Sequence, residues 1–374
     1  MLRKIVALLA LFAALFPGCA FADTSDEPLA IGAKAAILME AETGRVLLEK
    51  NADQRLPMAS TTKIMTCLLA LENSSLEENV TAGKNAAGVT GTSLYLSQGE
   101  TLTMEQMLYG LMLRSGNDAA VAIAEHVDGS VEEFVARMNR RAVELGADAQ
   151  FKNPHGLDQQ GHEASARAMA LILRECLKNE TFARISSTKE KVIPWPGNEY
   201  SRVLKNKNRL LTSYEGATGG KTGYTSGAGR CLVFSAERNG MRLVGCVLNC
   251  PTWFDTAQAM LDYGFEHYSM QEVSRAGDSM GQVAVTGGQK RSAPVQTAEG
   301  LRVPVGMGEK VVVQTQLPDD APAPVRRGDA AGAYQVRSGG QLLAQGKLIY
   351  GESVSKNNME GALERVVGHW SLLR

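Results

Sequence analysis

The sequence has little of several features that mark common protein classes. Its 374 residues carry 39 Lys and Arg against 40 Asp and Glu, and this balance gives no electrostatic case for binding nucleic acid. Only five histidines are present, and neither they nor the cysteines form a cluster with metal-ligand spacing, so no metal and no cofactor are predicted. Beyond the N-terminus no apolar run is long enough to cross a bilayer. The composition is that of an ordinary globular protein.

The N-terminus has the layout of a secretory signal. Arg3 and Lys4 precede an apolar run over residues 5–16, and Ala20-Phe21-Ala22 supplies small residues for cleavage. The run is too short for a membrane span. We therefore predict a signal peptide over residues 1–22 and an exported protein that works outside the cytoplasm. An uncleaved N-terminal anchor is the alternative.

The cysteines do not form a disulfide framework. Cleavage would remove Cys19, whose Phe-Pro-Gly context is poor for lipid attachment, and would leave an odd number. Cys67 and Cys176 lie among apolar residues in helical patterns, which predicts buried thiols. Cys231 and Cys246 fall on neighbouring strands of a predicted hairpin, so a bridge between them is conceivable but is not predicted.

Residues 23–268 combine strands at both ends with helices between them. Thr103 with Gln106 forms a capping box ahead of one helix, and Ser130 with Glu133 does the same for the next. Strands are predicted at residues 35–39, 45–48, 229–236 and 241–248, and helices at 60–73, 103–113, 130–145, 165–178 and 253–266. This order predicts an α+β domain whose antiparallel sheet joins the two ends.

The composition changes after residue 268. Gly, Val, Gln and Pro dominate, with alternating runs at 282–285, 310–314 and 332–336 and turn signals between them. We predict a small all-β domain over residues 269–357. It carries no nucleophile or ligand arrangement, so a spacing or docking role is expected.

The tail over residues 358–374 has the pattern of an amphipathic helix. Leu363, Val366 and Trp370 share one face, opposite Glu360 and Glu364. The helix is expected either to pack on the β domain or to lie in the membrane interface, where Trp370 is well suited. Both alternatives stay open, since the balanced charge gives little attraction to anionic lipid.

The first chemical motif is Ser60-Thr61-Thr62-Lys63 at the start of a predicted helix. A serine and a lysine three residues apart lie on the same helical face, one turn from each other. The helix N-terminus directs backbone amides to that position. A neutral Lys63 could then take the proton of Ser60 and activate its hydroxyl. By itself this pattern also fits a capping serine beside a solvated lysine.

Two further motifs raise its significance. Ser115-Gly116-Asn117 falls in a tight loop between helices, and Lys221-Thr222-Gly223 precedes the hairpin strand at the expected sheet edge. Each motif is common alone. Their order and spacing after Ser60 match the signature set of active-site-serine penicillin-binding proteins and β-lactamases.

The sequence over residues 23–268 resembles the D-alanyl-D-alanine carboxypeptidases, the low-molecular-mass penicillin-binding proteins of peptidase family S11. The similarity lies in residues 57–66, 113–120 and 221–225, and in the family-like stretch Asn153-Pro154-His155-Gly156-Leu157-Asp158. The following β domain and terminal helix also suit this family. One departure is at Glu163 and Ala168, where relatives usually carry a tyrosine and an aspartate.

The resemblance implies a serine β-lactamase/transpeptidase-like fold and a role for each motif residue. The family's mechanism makes Ser60 the acylated nucleophile, Lys63 its general base and Ser115 a proton relay. The implied substrate-binding residues are Asn117, Lys221, Thr222 and Gly223, of which Lys221 and Thr222 would bind the terminal carboxylate. The implied oxyanion hole is formed by the backbone amides of Ser60 and Tyr224. The implied location is the outer face of the bacterial cytoplasmic membrane, the cell wall or the periplasm. Lys63 must be neutral to act, and burial beside Lys221 would lower its pKa. The expected partners are peptidoglycan stem peptides ending in D-Ala-D-Ala and β-lactams as covalent inhibitors, with peripheral membrane contact through the terminal helix left open.

Two rival functions share these motifs. A class A β-lactamase would need a glutamate to position the deacylating water. No Glu-x-x-x-Asn stretch lies between Asn117 and Lys221, and Glu163 is the only candidate. A catalytically silent peptidoglycan-binding or β-lactam-sensing protein is the second rival, against which the intact motif residues argue.

Overall fold

The computed structural model describes residues 29–357. The predicted signal peptide (residues 1–22) and terminal helix (residues 358–374) lie outside the described residues. Within residues 29–357, none of the helices has the length and apolar character needed to cross a membrane.

The first region, residues 31–267, alternates helices with short strands. Its strands are β1 (Ala35–Glu40), β2 (Val46–Lys50), β3 (Asn79–Thr81), β4 (Thr101–Thr103), β5 (Ala149–Gln150), β6 (Glu163–Ala164), β7 (Glu190–Ile193), β8 (Arg202–Lys205), β9 (Ala217–Thr225), β10 (Gly229–Arg238) and β11 (Met241–Leu248). Its helices are α1 (Lys63–Asn73), α2 (Met104–Tyr109), α3 (Asn117–Asp128), α4 (Val131–Glu144), α5 (Ala166–Cys176), α6 (Glu180–Ser187), α7 (Leu210–Ser213) and α8 (Trp253–His267). A 3₁₀ turn (Ala59–Thr62) precedes α1, and a π-helical turn (Gly110–Arg114) follows α2.

Five strands form an antiparallel sheet in the order β2-β1-β11-β10-β9. Strand β1 is buried on both sides because helices cover both faces of the sheet. Ile37 belongs to the core shared with α5, whereas Leu38 on the opposite face lies against Gly264 of α8. The sheet joins the two ends of the region, as predicted, and leaves β9 at its edge.

The helix signals in the sequence agree with the structure, apart from the ends of two helices. The capping box is present, since Thr103 Oγ1 accepts from Gln106 N and the Gln106 side chain accepts from Thr103 N. Ser130 caps α4 by accepting from Glu133 N. The predicted helix over residues 60–73 begins instead with the 3₁₀ turn, and the helix over 103–113 ends in the π-helical turn. Both irregular turns lie beside the motif residues.

The cysteines of the described chain are all buried free thiols. Burial raises the pKa of Cys67, Cys176 and Cys246 above the ordinary thiol value and raises that of Cys231 to about 12. Buried thiols at Cys67 and Cys176 were predicted. No bridge joins Cys231 to Cys246.

The second region, residues 268–357, is made of strands, as predicted. They are β12 (Tyr268–Ser274), β13 (Ser279–Thr286), β14 (Ser292–Thr297), β15 (Leu301–Gly306), β16 (Val312–Gln316), β17 (Asp320–Pro322), β18 (Ala330–Ser338) and β19 (Gln341–Tyr350). Six of them form a sheet in the order β16-β18-β19-β14-β13-β17, and β12 pairs with β15. Its core is a separate cluster around Val295, Tyr334 and Leu348.

An ion pair between Arg45 and Glu309 joins the two regions. Both terminal nitrogens of Arg45, just before β2, donate to the carboxylate of Glu309 at 2.8 and 2.7 Å. Arg45 also donates to the carbonyl of Pro304 at 2.6 Å. The hydrogen bonds from Arg45 to the Glu309 carboxylate lower the pKa of Glu309 to about 2. The pair is largely shielded from solvent and bidentate, the geometry in which arginine binds a carboxylate best.

Candidate active site

Ser60 lies in the strained 3₁₀ turn that leads into α1. The preceding residue, Ala59, has a φ of +50°, which costs energy for a residue with a Cβ. Two hydrogen bonds stabilise the turn. Thr61 Oγ1 donates to the Met58 carbonyl at 2.6 Å, and Thr62 Oγ1 donates to the Ala59 carbonyl at 2.8 Å. The surrounding structure thus fixes the position of the Ser60 hydroxyl.

Lys63 is fully buried next to that hydroxyl. Its Nζ lies 3.0 Å from Ser60 Oγ, 2.8 Å from Asn117 Oδ1 and 2.5 Å from the carbonyl oxygen of His155. Burial lowers the pKa of Lys63 well below its ordinary value, and the nearby positive charge of Lys221 lowers it further.

A neutral amine has two N–H donors and one lone pair. The carbonyl oxygens of Asn117 and His155 can only accept, so they take the two N–H groups of Lys63. The lone pair is then left facing Ser60 Oγ. This is the arrangement that a general base needs to remove the hydroxyl proton.

The second motif lies where the π-helical turn meets α3. Ser115 has a left-handed backbone with a φ of +68°, and its buried Oγ makes no hydrogen bond to any described residue. Asn117 Nδ2 donates to the carbonyl of Thr90 at 2.7 Å, which uses one of its two N–H groups. The Ser115 hydroxyl and the second Asn117 N–H remain available for a bound molecule.

The residue after this motif anchors the adjacent loop. Asp118 is buried, and its carboxylate accepts from Ser93 Oγ at 2.6 Å, Leu94 N at 2.9 Å and Leu96 N at 3.0 Å. A carboxylate that accepts several backbone N–H groups orders the loop that supplies them. No role was predicted for Asp118, although this residue directly follows the motif.

The third motif lies inside β9, the edge strand, which precedes the hairpin strand β10 as predicted. A Cβ on Gly223 would come within 2.9 Å of Ser60 N and 3.0 Å of the Met58 carbonyl. The strand therefore approaches the nucleophile turn more closely than a side chain would allow. Lys221 is buried, and its Nζ donates to the Thr222 carbonyl at 3.0 Å. Burial, with a contribution from Lys207, lowers the pKa of Lys221 to about 7.

A loop around His155 and Gly156 closes the site from the other side. Gly156 has a φ of +91°, and a Cβ there would lie 1.9 Å from the carbonyl oxygen of Ala59. Further along, Asp158 accepts from Thr225 Oγ1 at 2.6 Å at the end of β9. The loop thereby contacts the nucleophile turn, the lysine and the edge strand. This stretch was noted in the sequence, but the roles of the His155 carbonyl and Gly156 were not predicted.

These residues surround a cleft of about 510 Å³. The cleft is lined by Ser60, Thr92, Ser115, Lys207, Arg209, Thr222, Gly223, Tyr224, Arg230, Trp253 and Phe254. A serine beside a buried lysine of lowered pKa, with open donors around it, is suited to nucleophilic acyl transfer.

Two family profiles match the chain. That of the D-alanyl-D-alanine carboxypeptidases matches residues 22–252. The chain belongs to this family. A second profile, described as the penicillin-binding protein 5 C-terminal domain, matches residues 268–356.

Curated and solved relatives agree with this assignment. The D-alanyl-D-alanine carboxypeptidase DacF of Bacillus subtilis is 36% identical over 92% of this chain and 91% of its own length. DacC of Escherichia coli is 32% identical over 94% and 91%. The structure of penicillin binding protein 5 from Haemophilus influenzae has a TM-score of 0.76 at 29% identity, over 88% of this chain and 99% of that chain.

These relationships confirm the predicted family, fold class and enzyme class, a serine-type D-alanyl-D-alanine carboxypeptidase among the low-molecular-mass penicillin-binding proteins. The terminal helix of the predicted fold lies outside the described residues. Of the predicted site residues, Ser60, Ser115, Thr222, Gly223 and Tyr224 line the cleft. The remaining three, Lys63, Asn117 and Lys221, are buried next to it.

One wall of this cleft consists of residues that are not predicted from the sequence. Lys207, Arg209, Arg230, Trp253 and Phe254 come from three separate segments of the chain. No spacing rule connects those segments, so no signal in a single sequence marks them as neighbours.

Proposed function

We propose that this chain removes the terminal D-alanine from peptidoglycan stem peptides through an acyl-enzyme formed on Ser60. The observation that carries the proposal is the buried Lys63 amine, which lies 3.0 Å from Ser60 Oγ and donates to the carbonyl oxygens of Asn117 and His155. Covalent binding of penicillin at the same serine, typical of the family, is part of the proposal.

The proposed reaction has two acyl-transfer steps. Ser60 Oγ attacks the carbonyl of the penultimate D-alanine and passes its proton to Lys63 Nζ. The backbone amides of Ser60 and Tyr224 stabilise the oxyanion, an interaction whose loss typically costs about 3 kcal/mol. Ser115 relays a proton to the leaving nitrogen, and free D-alanine departs. Water then attacks the ester and restores Ser60.

The other motif residues hold the peptide in this scheme. The second N–H of Asn117 binds a carbonyl of the substrate. Thr222 faces the cleft and contacts the terminal carboxylate, with Lys221 behind it, and Gly223 lets the peptide and the nucleophile turn approach the strand.

The nucleophile is tested by Ser60→Ala. We expect the variant to lose labelling by a fluorescent penicillin and release of D-alanine from diacetyl-Lys-D-Ala-D-Ala. Ser201→Ala, at an exposed position away from the cleft, is the matched control. Wild-type labelling of the Ser60 variant would contradict the assignment.

The base is tested by Lys63→Arg. A guanidinium keeps its proton at every accessible pH and cannot accept that of Ser60. We therefore expect acylation to fall by at least about 100-fold, the lower limit typical of lost general-base catalysis. Activity within a few-fold of wild type would exclude this role for Lys63.

The β-lactamase alternative needs a carboxylate to direct the deacylating water. None of the residues lining the cleft in the described chain is acidic, and Glu163 pairs with Gln150 in the short β5–β6 hairpin. This favours the peptidase. A penicillin acyl-enzyme that persists for many minutes would support it, whereas turnover within seconds would favour the β-lactamase. The silent binding or sensing alternative requires that no D-alanine is released.

Three further proposals concern the ends of the chain and its division. We propose a removable signal at residues 1–22 and hence an exported protein, a catalytic domain over 23–268, an all-β domain over 269–357 and an amphipathic helix over 358–374. The separate hydrophobic cores of the two regions support the division. Sedimentation of the full chain with anionic vesicles, compared with a chain ending at residue 357, tests membrane contact by the terminal helix.

A further inference from the structure

The cleft has one wall made of cations and aromatic rings. Arg209 stands over the Phe254 ring at 5.5 Å, and the Arg230 guanidinium lies 6.0 Å from the Trp253 ring centre. Lys207 also lines the cleft, and no acidic residue does so in the described chain. A concave site with this charge attracts an anion.

Lys221, to which the motif resemblance gives the terminal carboxylate, is poorly placed to supply the counter-charge. It is 2% exposed, does not line the cleft, and directs its amine to the Thr222 carbonyl. Its pKa of about 7 leaves it only partly charged at neutral pH. A permanent positive charge on the cleft side of β9 has to come from another residue.

Arg230 occupies the right place in the sheet. It lies directly opposite Tyr224 in the β9–β10 pairing, and directly opposite residues point to the same face. Thr222, two residues before Tyr224, shares that face because side chains alternate along a strand. The guanidinium of Arg230 therefore stands on the same side of the sheet as the Thr222 hydroxyl.

Arg230 is also held and only partly used. One terminal nitrogen donates to the carbonyl of Pro251 at 2.7 Å, and no carboxylate of the described chain pairs with the guanidinium. An arginine has five N–H donors, so most of them stay available. The carbonyl of Pro251 and the Trp253 ring fix the guanidinium at the wall of the cleft.

We propose that Arg230, together with the Thr222 hydroxyl, binds the terminal carboxylate of the peptide and so restricts the enzyme to substrates with a free C-terminus. This inference rests on the proposed carboxypeptidase function. A guanidinium pairs with a carboxylate through two parallel hydrogen bonds, which fixes orientation as well as affinity. Arg209 contributes to the attractive potential of the same wall.

The test compares diacetyl-Lys-D-Ala-D-Ala with the same peptide ending in a carboxamide. The wild-type enzyme should strongly prefer the free acid. Arg230→Gln should lower kcat/KM for the acid by about 30-fold, mainly through KM, because a charged hydrogen-bond pair is lost. The carboxamide rate should change by less than about 3-fold, the limit for a group that this substrate does not engage.

Two controls separate this role from a structural one. Arg230→Lys keeps the charge without the fork and should recover part of the loss for the acid alone. Arg140→Gln, at an exposed position on α4, should leave both substrates unaffected. If Arg230→Gln misfolds, the lysine variant carries the comparison.

Each other outcome overturns a defined statement. Equal losses for acid and carboxamide would make Arg230 a structural residue, and an unchanged preference would exclude it from carboxylate binding. Equal wild-type rates for the two peptides would also overturn the inference. Absence of D-alanine release from either peptide by the wild-type enzyme would instead overturn the proposed function.

Discussion

Replacing Lys221 by methionine should make the protein more stable. Lys221 is buried, and its amine has one hydrogen-bond acceptor, the Thr222 carbonyl. Burial lowers its pKa from 10.5 to about 7, so the charged form is disfavoured in the folded protein. Methionine has a similar unbranched shape and needs neither a charge nor a partner.

The magnitude follows from the two pKa values of Lys221. At pH 7 the unfolded chain binds a proton that the folded chain binds only half of the time, which costs about 4 kcal/mol of stability. Loss of the bond to the Thr222 carbonyl offsets about 1 kcal/mol of this gain. We expect Lys221→Met to raise the unfolding free energy by about 2–3 kcal/mol at pH 7.

The pH dependence gives the sharper test. Because the pKa of Lys221 is lowered, the wild-type lysine reduces the unfolding free energy by its full amount below pH 7. This destabilisation disappears as the pH rises to 10.5. The stability advantage of the variant should therefore shrink by about 2 kcal/mol between pH 7 and pH 9. Urea unfolding followed by circular dichroism at both values measures it.

The matched control is Lys205→Met, whose wild-type side chain is 77% exposed. It should change stability by less than about 0.5 kcal/mol at either pH. A Lys221 variant that is less stable than wild type at pH 7, or whose advantage is the same at pH 7 and 9, would refute the reasoning.

Two more predictions concern the loop that closes the site. Gly156→Ala should abolish penicillin labelling, because the new Cβ would lie 1.9 Å from the Ala59 carbonyl oxygen. Gly129→Ala is the control, since Gly129 also has a positive φ but has open space around it, and this variant should retain labelling. Equal labelling of the two variants would contradict this prediction. Burial lowers the pKa of His162 to about 4 and that of His155 to about 3. The contribution of these neutral histidines to the unfolding free energy is therefore fully present above pH 6.5, and it falls at lower pH because the unfolded state takes up protons. Between pH 7.5 and 5, the unfolding free energy measured by thermal unfolding should fall by about 2 kcal/mol because of His162. An equally steep fall in His162→Gln would refute the attribution to His162.

Local signals in the sequence predicted that the proposed nucleophile and base lie close together. Ser60 and Lys63 are one helical turn apart by spacing alone, and the structure places Lys63 Nζ 3.0 Å from Ser60 Oγ. The Thr103–Gln106 capping box was likewise readable, because its hydrogen bonds join residues three apart.

Local sequence signals do not predict contacts between residues that are far apart in the chain. The His155 carbonyl accepts from Lys63 across 92 residues, and a carbonyl oxygen has no sequence signature. The same limit applies to Asp118, whose partners are backbone amides more than twenty residues earlier.

The sequence by itself determined the family and pointed to the proposed nucleophile and base, because these depend on residue type and short spacing. Only the tertiary structure decided the surroundings of Lys63, because burial and the nearby Lys221 lower its pKa, and the carbonyl oxygens of Asn117 and His155 accept its hydrogen bonds. It alone also placed Arg230 opposite Tyr224, on the strand face that Thr222 shares, because strand pairing brings together residues that no local pattern connects.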